Sequence, residues 1–186
     1  MKFNTIKQFF SAAMLTGALA MQSAAAAPTI SAVASPGAFA AGQAVGVDVT
    51  ITGITDLDGY QFSLGFDPAL LQALGGMSGG FLNQGGTSFF DAGIIDNVNG
   101  TISYAFDSLF GAAPGASGSG VLVHYDFSAL GAGTAAFSFS DLLFLDANGD
   151  TIEVSSAAAA VPEPSTMLLL ALAMGAVVVA RRRSPR

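Results

Sequence analysis

A single histidine, His124, is the only imidazole in the 186-residue chain, and Asp126 follows it two residues later. An imidazole beside a carboxylate can act as a general base, so this pair is the first candidate for catalysis. The other side chains argue against an enzyme, because the chain has no cysteine and residues 28–160 have no lysine or arginine. We therefore expect a solvated or hydrogen-bonded histidine on a strand, and a protein without catalytic residues.

A second group of polar residues, Asp146, Asn148 and Asp150, alternates within one short loop. Alternate carboxylate and amide oxygens can wrap Ca²⁺, which prefers oxygen ligands. The glycine of this loop is at its fourth position and no glutamate occupies the twelfth, unlike an EF-hand loop. Two interpretations stay open, a Ca²⁺ site at these three residues and a β-turn built on Asn-Gly. No other cofactor is expected.

Aromatic side chains could form a platform for sugars, but this chain has no tryptophan, fifteen phenylalanines and three tyrosines. The tyrosines are in phase with apolar residues at strand spacing, which predicts core positions; they are Tyr60, Tyr104 and Tyr125. The neighbouring Phe89 and Phe90, together with Phe110, lie near predicted loops and are the exceptions that could stack on a glycan.

The charge distribution restricts the partners of the central region. All six Lys and Arg residues lie within residues 1–7 and 181–186, whereas residues 28–160 contain eleven Asp and one Glu. Binding to nucleic acid is excluded for this region because phosphate neutralisation needs Lys or Arg. Contact with an anionic membrane surface is disfavoured for the same reason, and divalent cations, basic partners and neutral polymers remain open.

Short segments of alternating polar and apolar residues predict an all-β domain. The segments are residues 44–51, 60–66, 101–106, 120–127, 135–139 and 151–154. Within 101–106, Ile102, Tyr104 and Phe106 are predicted to share the core face, and within 120–127, Leu122 is predicted to face outward with His124. Many short strands separated by turns favour a sandwich or jelly roll.

Turn residues separate these segments. Asn99-Gly100 predicts a hairpin, because both residues accept a positive φ. Residues 147–150 predict another. Residues 67–74 could form a helical turn, with Asp67 as its cap and Pro68 in the first position. The Gly, Ala and Ser residues of 111–120 predict a loop.

Both ends of the chain have the composition of export signals. Two lysines, an apolar run and small residues ending near Ala27 predict a signal peptide over residues 1–26. Residues 157–186 contain a spacer, Pro162-Glu163-Pro164, an uncharged run at 167–180, and then arginines 181, 182 and 183. The apolar run is on the short side for spanning a bilayer, but the arginines after it can reach the interface, so it predicts a single transmembrane sorting helix whose arginine end remains in the cytoplasm. Residues 27–156 form the expected domain between these two signals.

The C-terminal pattern resembles the PEP-CTERM sorting signal of Gram-negative bacteria. This resemblance implies that Pro162, Glu163 and Pro164 are recognised by an exosortase-type transpeptidase, with Arg181, Arg182 and Arg183 as the basic end of the signal. It also implies export across the inner membrane to the cell envelope or extracellular polysaccharide matrix, with at least transient membrane anchoring.

The central region resembles a cohesin domain, chiefly through YQFSLGFDPALLQA at 60–73 and GSGVLVHYDF at 118–127. The resemblance implies a roughly nine-stranded jelly-roll β-sandwich, related in fold to some carbohydrate-binding modules, and a dockerin-like protein as partner. The expected function is that of an exported, non-enzymatic binding module that mediates protein–protein or matrix association. The alternative is a carbohydrate-binding protein associated with polysaccharide turnover, with exopolysaccharide as its ligand.

Overall fold

A computed structural model describes residues 27–111 and 114–157, and within them the fold is all-β, as predicted. Apart from one 3-10 turn at Leu82–Gln84, every regular element is a strand. The strands are β1 (Thr29–Ser35), β2 (Ala38–Phe39), β3 (Ala44–Gly65), β4 (Leu71–Ser78), β5 (Ser88–Asp91), β6 (Ile94–Asp96), β7 (Thr101–Leu109), β8 (Ala116–Ala129), β9 (Gly133–Thr134), β10 (Ser138–Asp146) and β11 (Ser155–Ser156).

The long strand β3 joins two layers. Its first half, up to Ile54, lies between β1 and β8, and its second half, from Leu57, lies between β10 and β7. The first layer has the order β11-β1-β3-β8-β4, and in the second layer β5 and β6 add to β7. Register shifts on both sides of Ile54, and a positive φ at Gly53 and Asp56, mark the bend between the halves.

One apolar core lies between the layers. Tyr60 of the second layer donates a hydrogen bond from its hydroxyl to the carbonyl oxygen of Leu122 in the first, at 3.0 Å. Phe66 and Phe127 meet edge to face with ring centroids 5.1 Å apart, again across the layers. Alternate residues of β3 from Val45 to Ile51 are almost completely buried, as their alternation predicts.

Two β-bulges change which side chains reach this core, and the predictions made there from strict alternation are wrong. In β8 the pairing with β3 skips Leu122, so Leu122 is buried with 1% exposure instead of facing outward. In β7 a register shift accompanies a positive φ at Tyr104, whose side chain is 54% exposed. Beyond that shift Ala105 and Asp107 face inward, and Phe106 faces outward.

The turn predictions are mostly confirmed. Residues 97–100 close a hairpin between β6 and β7, and Gly100 has a φ of 68°. The backbone N–H of Asp146 donates to the carbonyl of Asp150, closing the second hairpin. Residues 67–74 make a single turn with Asp67 as its cap, but the segment then enters strand β4 at Leu71, because its apolar residues pair with β8.

Three further boundaries differ from the predictions. Strand β8 begins at Ala116, inside the predicted loop at 111–120. The predicted strand at 135–139 begins only at Ser138. The predicted strand at 151–154 is wrong, since only Thr151 pairs, in an isolated bridge to Leu145.

Within residues 27–111 and 114–157, no helix is long and apolar enough to cross a membrane. The predicted signal peptide at 1–26 and the apolar run at 167–180 lie outside the described residues.

Candidate functional site: an apolar face on the second layer

The outward side of the second layer carries a row of apolar side chains, which we call the phenylalanine face. It consists of Phe89, Phe106, Phe110 and Leu143. Phe89, Phe110 and Leu143 are 54%, 62% and 40% exposed, and apolar side chains grouped on one exposed surface are typical of an interaction site. The ring centroid of Phe89 lies 5.7 Å from that of Phe106 and 6.4 Å from that of Phe110, so the three rings form one cluster.

Strand pairing explains why these residues share one side of the sheet. Gln61 of β3 pairs with Phe106 on one side and with Leu143 on the other, and directly paired residues point to the same side. Phe89 pairs in the same way with Ser108. The bulge at Tyr104 is what turns Phe106 outward, and without it the cluster would lose its central ring.

A shallow groove of about 180 Å³ runs beside the cluster. Its lining residues are Gly59, Tyr60, Gln61, Phe106, Asp107, Ser108, Leu143 and Leu145. Gly59 forms part of its floor, because a side chain at that position would contact the carbonyl of Asp107 and the hydroxyl of Ser108 at 3.4 Å. The groove gives a partner a recess beside the phenylalanine rings.

Part of this face could have been found from the sequence. Phe89 and Phe110 were predicted to be exceptions among the aromatic residues, and both are exposed, whereas Phe90 is partly buried against the core. Residues 142–145 are four consecutive apolar residues, which predicts that both sides of the strand are covered. Phe106 could not be found in this way, because its orientation depends on the bulge.

A buried acid lies behind the same strands. Asp107 is 1% exposed, and its Oδ1 atom has no hydrogen-bond partner among the described residues. Burial raises the pKa of this carboxyl above its ordinary value, because the charged form is poorly solvated there. Burial likewise raises the pKa of Tyr60 above its ordinary value, and the nearby Asp107 adds to the shift. Strict alternation predicts that Asp107 faces solvent, so this acid was missed.

His124 is hydrogen-bonded on the outer side of the first layer, as predicted. Its Nδ1 atom lies 2.5 Å from Oδ1 of Asp48 on β3, and its Nε2 atom lies 3.7 Å from Oδ1 of Asp126. The imidazole is thus held between two carboxylates, and no serine, cysteine or lysine hydroxyl, thiol or amine hydrogen-bonds to it in the described part of the chain. The arrangement does not provide a nucleophile for this histidine to activate.

The loop at Asp146, Asn148 and Asp150 has the geometry of a capped turn. Oδ1 of Asp146 accepts hydrogen bonds from the backbone N–H groups of Asn148 and Asp150, at 2.8 and 2.9 Å. These bonds lower the pKa of Asp146, because they stabilise its charged form. No three His, Asp or Glu side chains converge as metal ligands within the described ranges. Ca²⁺ binding by this loop stays a prediction.

The sorting residues predicted from the sequence, Pro162, Glu163, Pro164 and the three arginines 181, 182 and 183, lie outside the described residues. Residues 160–183 nevertheless match the PEP-CTERM protein-sorting motif, which supports the resemblance seen in the sequence.

Solved structures with the same fold are cohesins. A type II cohesin in a cohesin–X–dockerin complex from Acetivibrio cellulolyticus has a TM-score of 0.60 and 19% identity, over 70% of this chain and 95% of that one. The second type II cohesin of the adaptor scaffoldin from the same organism has a TM-score of 0.60 and 19% identity, over 71% and 94%. A non-cellulosomal cohesin from Archaeoglobus fulgidus has a TM-score of 0.53 and 18% identity, over 70% and 86%.

No curated protein is similar enough to this chain to count as a relative. The family model named Cohesin domain matches residues 30–160, which is most of the chain. Cohesin domains are non-enzymatic binding modules, and this confirms that the chain is not an enzyme. With the fold, the matched residues and the solved relatives in agreement, the chain belongs to the cohesin family and carries a PEP-CTERM sorting motif.

Proposed function

We propose that this protein is an exported docking module whose phenylalanine face binds a dockerin-like protein in the cell envelope or extracellular matrix. The observation that carries the proposal is the cluster of Phe89, Phe106 and Phe110 on the outer side of a regular sheet. Exposed aromatic clusters of this kind provide anchors in protein–protein interfaces. Two solved cohesins of this fold, both from Acetivibrio cellulolyticus, are in complex with a dockerin, which supports a protein as the occupant.

The charge of the domain restricts the surface of that partner. Residues 28–160 contain twelve carboxylates and no lysine or arginine, so an acidic partner would be repelled. On the phenylalanine face itself, the polar residues Gln61 and Ser108 are uncharged, and Asp91, paired with Phe106, lies at the margin on edge strand β5. We infer a partner with an apolar centre and a neutral or basic margin.

The C-terminal motif supplies the route to that location. An exosortase-type transpeptidase would recognise Pro162, Glu163 and Pro164, and the uncharged run with its following arginines would anchor the chain in the inner membrane at least transiently. The docking domain would then lie outside the cytoplasm. The match of residues 160–183 to the sorting motif supports this part of the proposal.

One observation favours a second candidate function, carbohydrate binding. Phe89 and Phe110 are exposed neighbours, with ring planes 60° apart and centroids 6.4 Å apart, and exposed rings can stack on sugars. A neutral exopolysaccharide is also compatible with the acidic surface. Polysaccharide turnover would be the process in which such a protein takes part.

Co-sedimentation of the purified chain with the producer's own extracellular matrix distinguishes the two functions. Matrix treated with protease should no longer retain the protein if the ligand is a protein, whereas periodate-treated matrix should retain it. The opposite pattern would replace the docking proposal by carbohydrate binding. Retention that survives both treatments would contradict both proposals.

Paired variants connect retention to the face. Phe89→Ala combined with Phe110→Ala should lower retention at least tenfold, because anchor residues of this kind typically each contribute more than about 1–2 kcal/mol. Leu74→Ala combined with Val98→Ala removes two apolar side chains of similar exposure away from the face, 62% and 86% exposed, and should leave retention unchanged.

A further inference from the structure

Two bulges lie at the same level of the second layer, on either side of Ser63 in β3. In β10 the register shifts between Ser140, which is the partner of Ser63, and Leu143. In β7 it shifts opposite Ser63 itself, and the backbone N–H of Tyr104 donates to Ser63 Oγ at 3.2 Å. Tyr104 and Asp141 are the residues of positive φ at these bulges, with values of 57° and 52°. Both side chains are exposed, so they lie on the outer side of the layer and not in the core.

The backbone conformation of both residues is unfavourable for a residue that carries a side chain. A positive φ brings Cβ close to the following carbonyl oxygen, and glycine avoids this contact. Residues held in such conformations are typical of sites where the side chain itself binds a ligand. The side chains of Tyr104 and Asp141 therefore call for a reason other than the fold.

Tyr104 differs from the other two tyrosines. The hydroxyl of Tyr60 donates to the carbonyl of Leu122 at 3.0 Å, and that of Tyr125 donates to the carbonyl of Ala92 at 2.9 Å. Tyr104 is 54% exposed, and within residues 27–111 and 114–157 its hydroxyl makes no hydrogen bond. Both its ring face and its hydroxyl are available to a partner, and a ring face of this kind attracts cations.

Asp141 has no cation of its own domain to pair with. Its Oδ2 accepts a hydrogen bond from Oγ of Ser140 at 3.2 Å, whereas residues 28–160 contain no lysine or arginine. His124 lies on the first layer, paired with β3 and β4. The carboxylate of Asp141 is thus an exposed negative charge that only another molecule can neutralise.

We propose that Tyr104 and Asp141 form a cation subsite beside the phenylalanine face, which binds a lysine or arginine side chain of the docked protein. This inference rests on the proposed docking function and adds the chemistry of the partner. Strands β7 and β10 flank β3 at about 4.8 Å each, so their backbones are about 10 Å apart. That span suits a cation held within about 6 Å of the ring centroid and about 4 Å of a carboxylate oxygen.

The subsite is continuous with the phenylalanine face. Ser63 lies two residues along β3 from Gln61, whose partners are Phe106 and Leu143. Two residues of a strand span about 6.7 Å, and residues i and i+4 of a helix are about 6 Å apart along its axis. A helix of the partner that presents an apolar anchor and, one turn away, a lysine or arginine therefore fits both parts of the surface.

Retention of the full chain on the producer's own extracellular matrix tests the subsite. Tyr104→Ala and Asp141→Asn should each lower retention about 3- to 10-fold, and the double variant should lose less than the product of the two factors, because both residues hold one cation. Glu153→Gln removes an exposed carboxylate elsewhere and should leave retention unchanged. Equal losses in Asp141→Asn and Glu153→Gln would mean that only the net charge matters and would overturn the proposal.

The Phe89→Ala and Phe110→Ala double variant separates this proposal from the docking function on which it rests. If that variant loses retention while Tyr104→Ala and Asp141→Asn keep it, docking stands and the cation subsite is wrong. If all of these variants keep full retention, both proposals are wrong.

Modification of the matrix tests the partner's side of the contact. Matrix whose lysines are acetylated and whose arginines are blocked with phenylglyoxal should retain the wild type only as well as untreated matrix retains Asp141→Asn. The same treatment should hardly change retention of Asp141→Asn, because its contact with the cation is already lost. A loss by the same factor in both proteins would place the matrix cations elsewhere and overturn the proposal.

Glycine variants distinguish binding from folding. Tyr104→Gly and Asp141→Gly should melt no lower than the wild type, because glycine adopts a positive φ without strain. They should nevertheless lose retention as Tyr104→Ala and Asp141→Asn do. Loss of retention only in variants whose Tm also falls would show that these side chains act through the fold, and the subsite would be rejected.

Discussion

Asn97 provides the most direct test of how the edge of the first layer is held. Its side-chain amide imitates a strand, since Oδ1 accepts from the backbone N–H of Ala73 at 2.8 Å and Nδ2 donates to the carbonyl of Ala73 at 3.0 Å. Ala73 is 4% exposed and belongs to the edge strand β4, whose other side pairs with β8. Asn97, in the turn at 97–100, thereby provides hydrogen bonds to the backbone N–H and carbonyl of Ala73, which water reaches poorly.

Asn97→Ala removes both hydrogen bonds and leaves both backbone groups of Ala73 without their partner. Each hydrogen bond contributes about 1 kcal/mol net, and a stranded buried group costs about 1–3 kcal/mol. Because the amide is only partly buried and water can enter in its place, we expect the free energy of unfolding to fall by about 2–3 kcal/mol. For a domain of about 130 residues this corresponds to a decrease in Tm of roughly 7–11 °C.

Urea unfolding followed by far-UV circular dichroism measures this difference, since the chain has no tryptophan for fluorescence. Asn97→Asp keeps the acceptor for the Ala73 N–H and loses the donor, so its loss should be intermediate. Asn83→Ala removes one exposed hydrogen bond from Ser88 and serves as control, with an expected change of at most about 0.5 kcal/mol. If Asn97→Ala were no more destabilising than Asn83→Ala, the role assigned to the Asn97 amide would be refuted.

Three further predictions concern stability. The raised pKa of Asp107 means that the folded state binds a proton more tightly than the unfolded state, so stability falls as pH rises from about 3.8 through the folded pKa. Asp107→Asn should remove this decline, and urea unfolding at pH 3.5 and pH 8 should show the variant to be more stable than the wild type only at pH 8; a gain of equal size at both pH values would contradict it. Leu122→Ala should cost about 2–4 kcal/mol of unfolding free energy because its side chain is buried at the bulge, and a loss no greater than that of Val121→Ala would contradict the bulge. If the Ca²⁺ prediction is correct, 1 mM Ca²⁺ raises the Tm of the wild type but not of Asp150→Asn in thermal scans, and equal shifts in both would reject it.

The sequence predicts the fold class well because strand alternation and turn residues are local properties. The alternating residues 44–51 and 60–66 predict strands, and the structure contains both within one long β3 that joins the layers. Asn99-Gly100 lies in a hairpin turn for the same local reason, since Gly100 accepts the positive φ of 68° that the turn requires.

The failures have a common cause in the β-bulges. A bulge inserts one residue into a strand and reverses which side every following residue faces, and alternation within that strand does not reveal it. At Tyr104 the bulge turns Phe106 outward and Asp107 inward, so one irregularity creates part of the candidate site and the buried acid behind it. At Leu122 the bulge in β8 buries a side chain predicted to be exposed.

Edge strands were also missed. Residues 71–78 alternate poorly and contain two glycines, and they form a strand because β8 offers them a partner. Residues 88–91 and 94–96 are too short for periodicity to identify them, and both are held by β7. Their positions depend on long-range pairing, which a single sequence does not display.

Site-specific photo-crosslinking tests the central claim, that the phenylalanine face is the docking surface. Ser108 is an exposed residue of β7 that pairs with Phe89 of β5. A benzoylphenylalanine introduced at Ser108 should form a covalent adduct with one protein of the producer's extracellular matrix. Benzoylphenylalanine introduced instead at Val33, which is 60% exposed on the first layer, should form no adduct. An adduct from Val33 and none from Ser108 would show that the opposite layer binds the partner and would contradict the account.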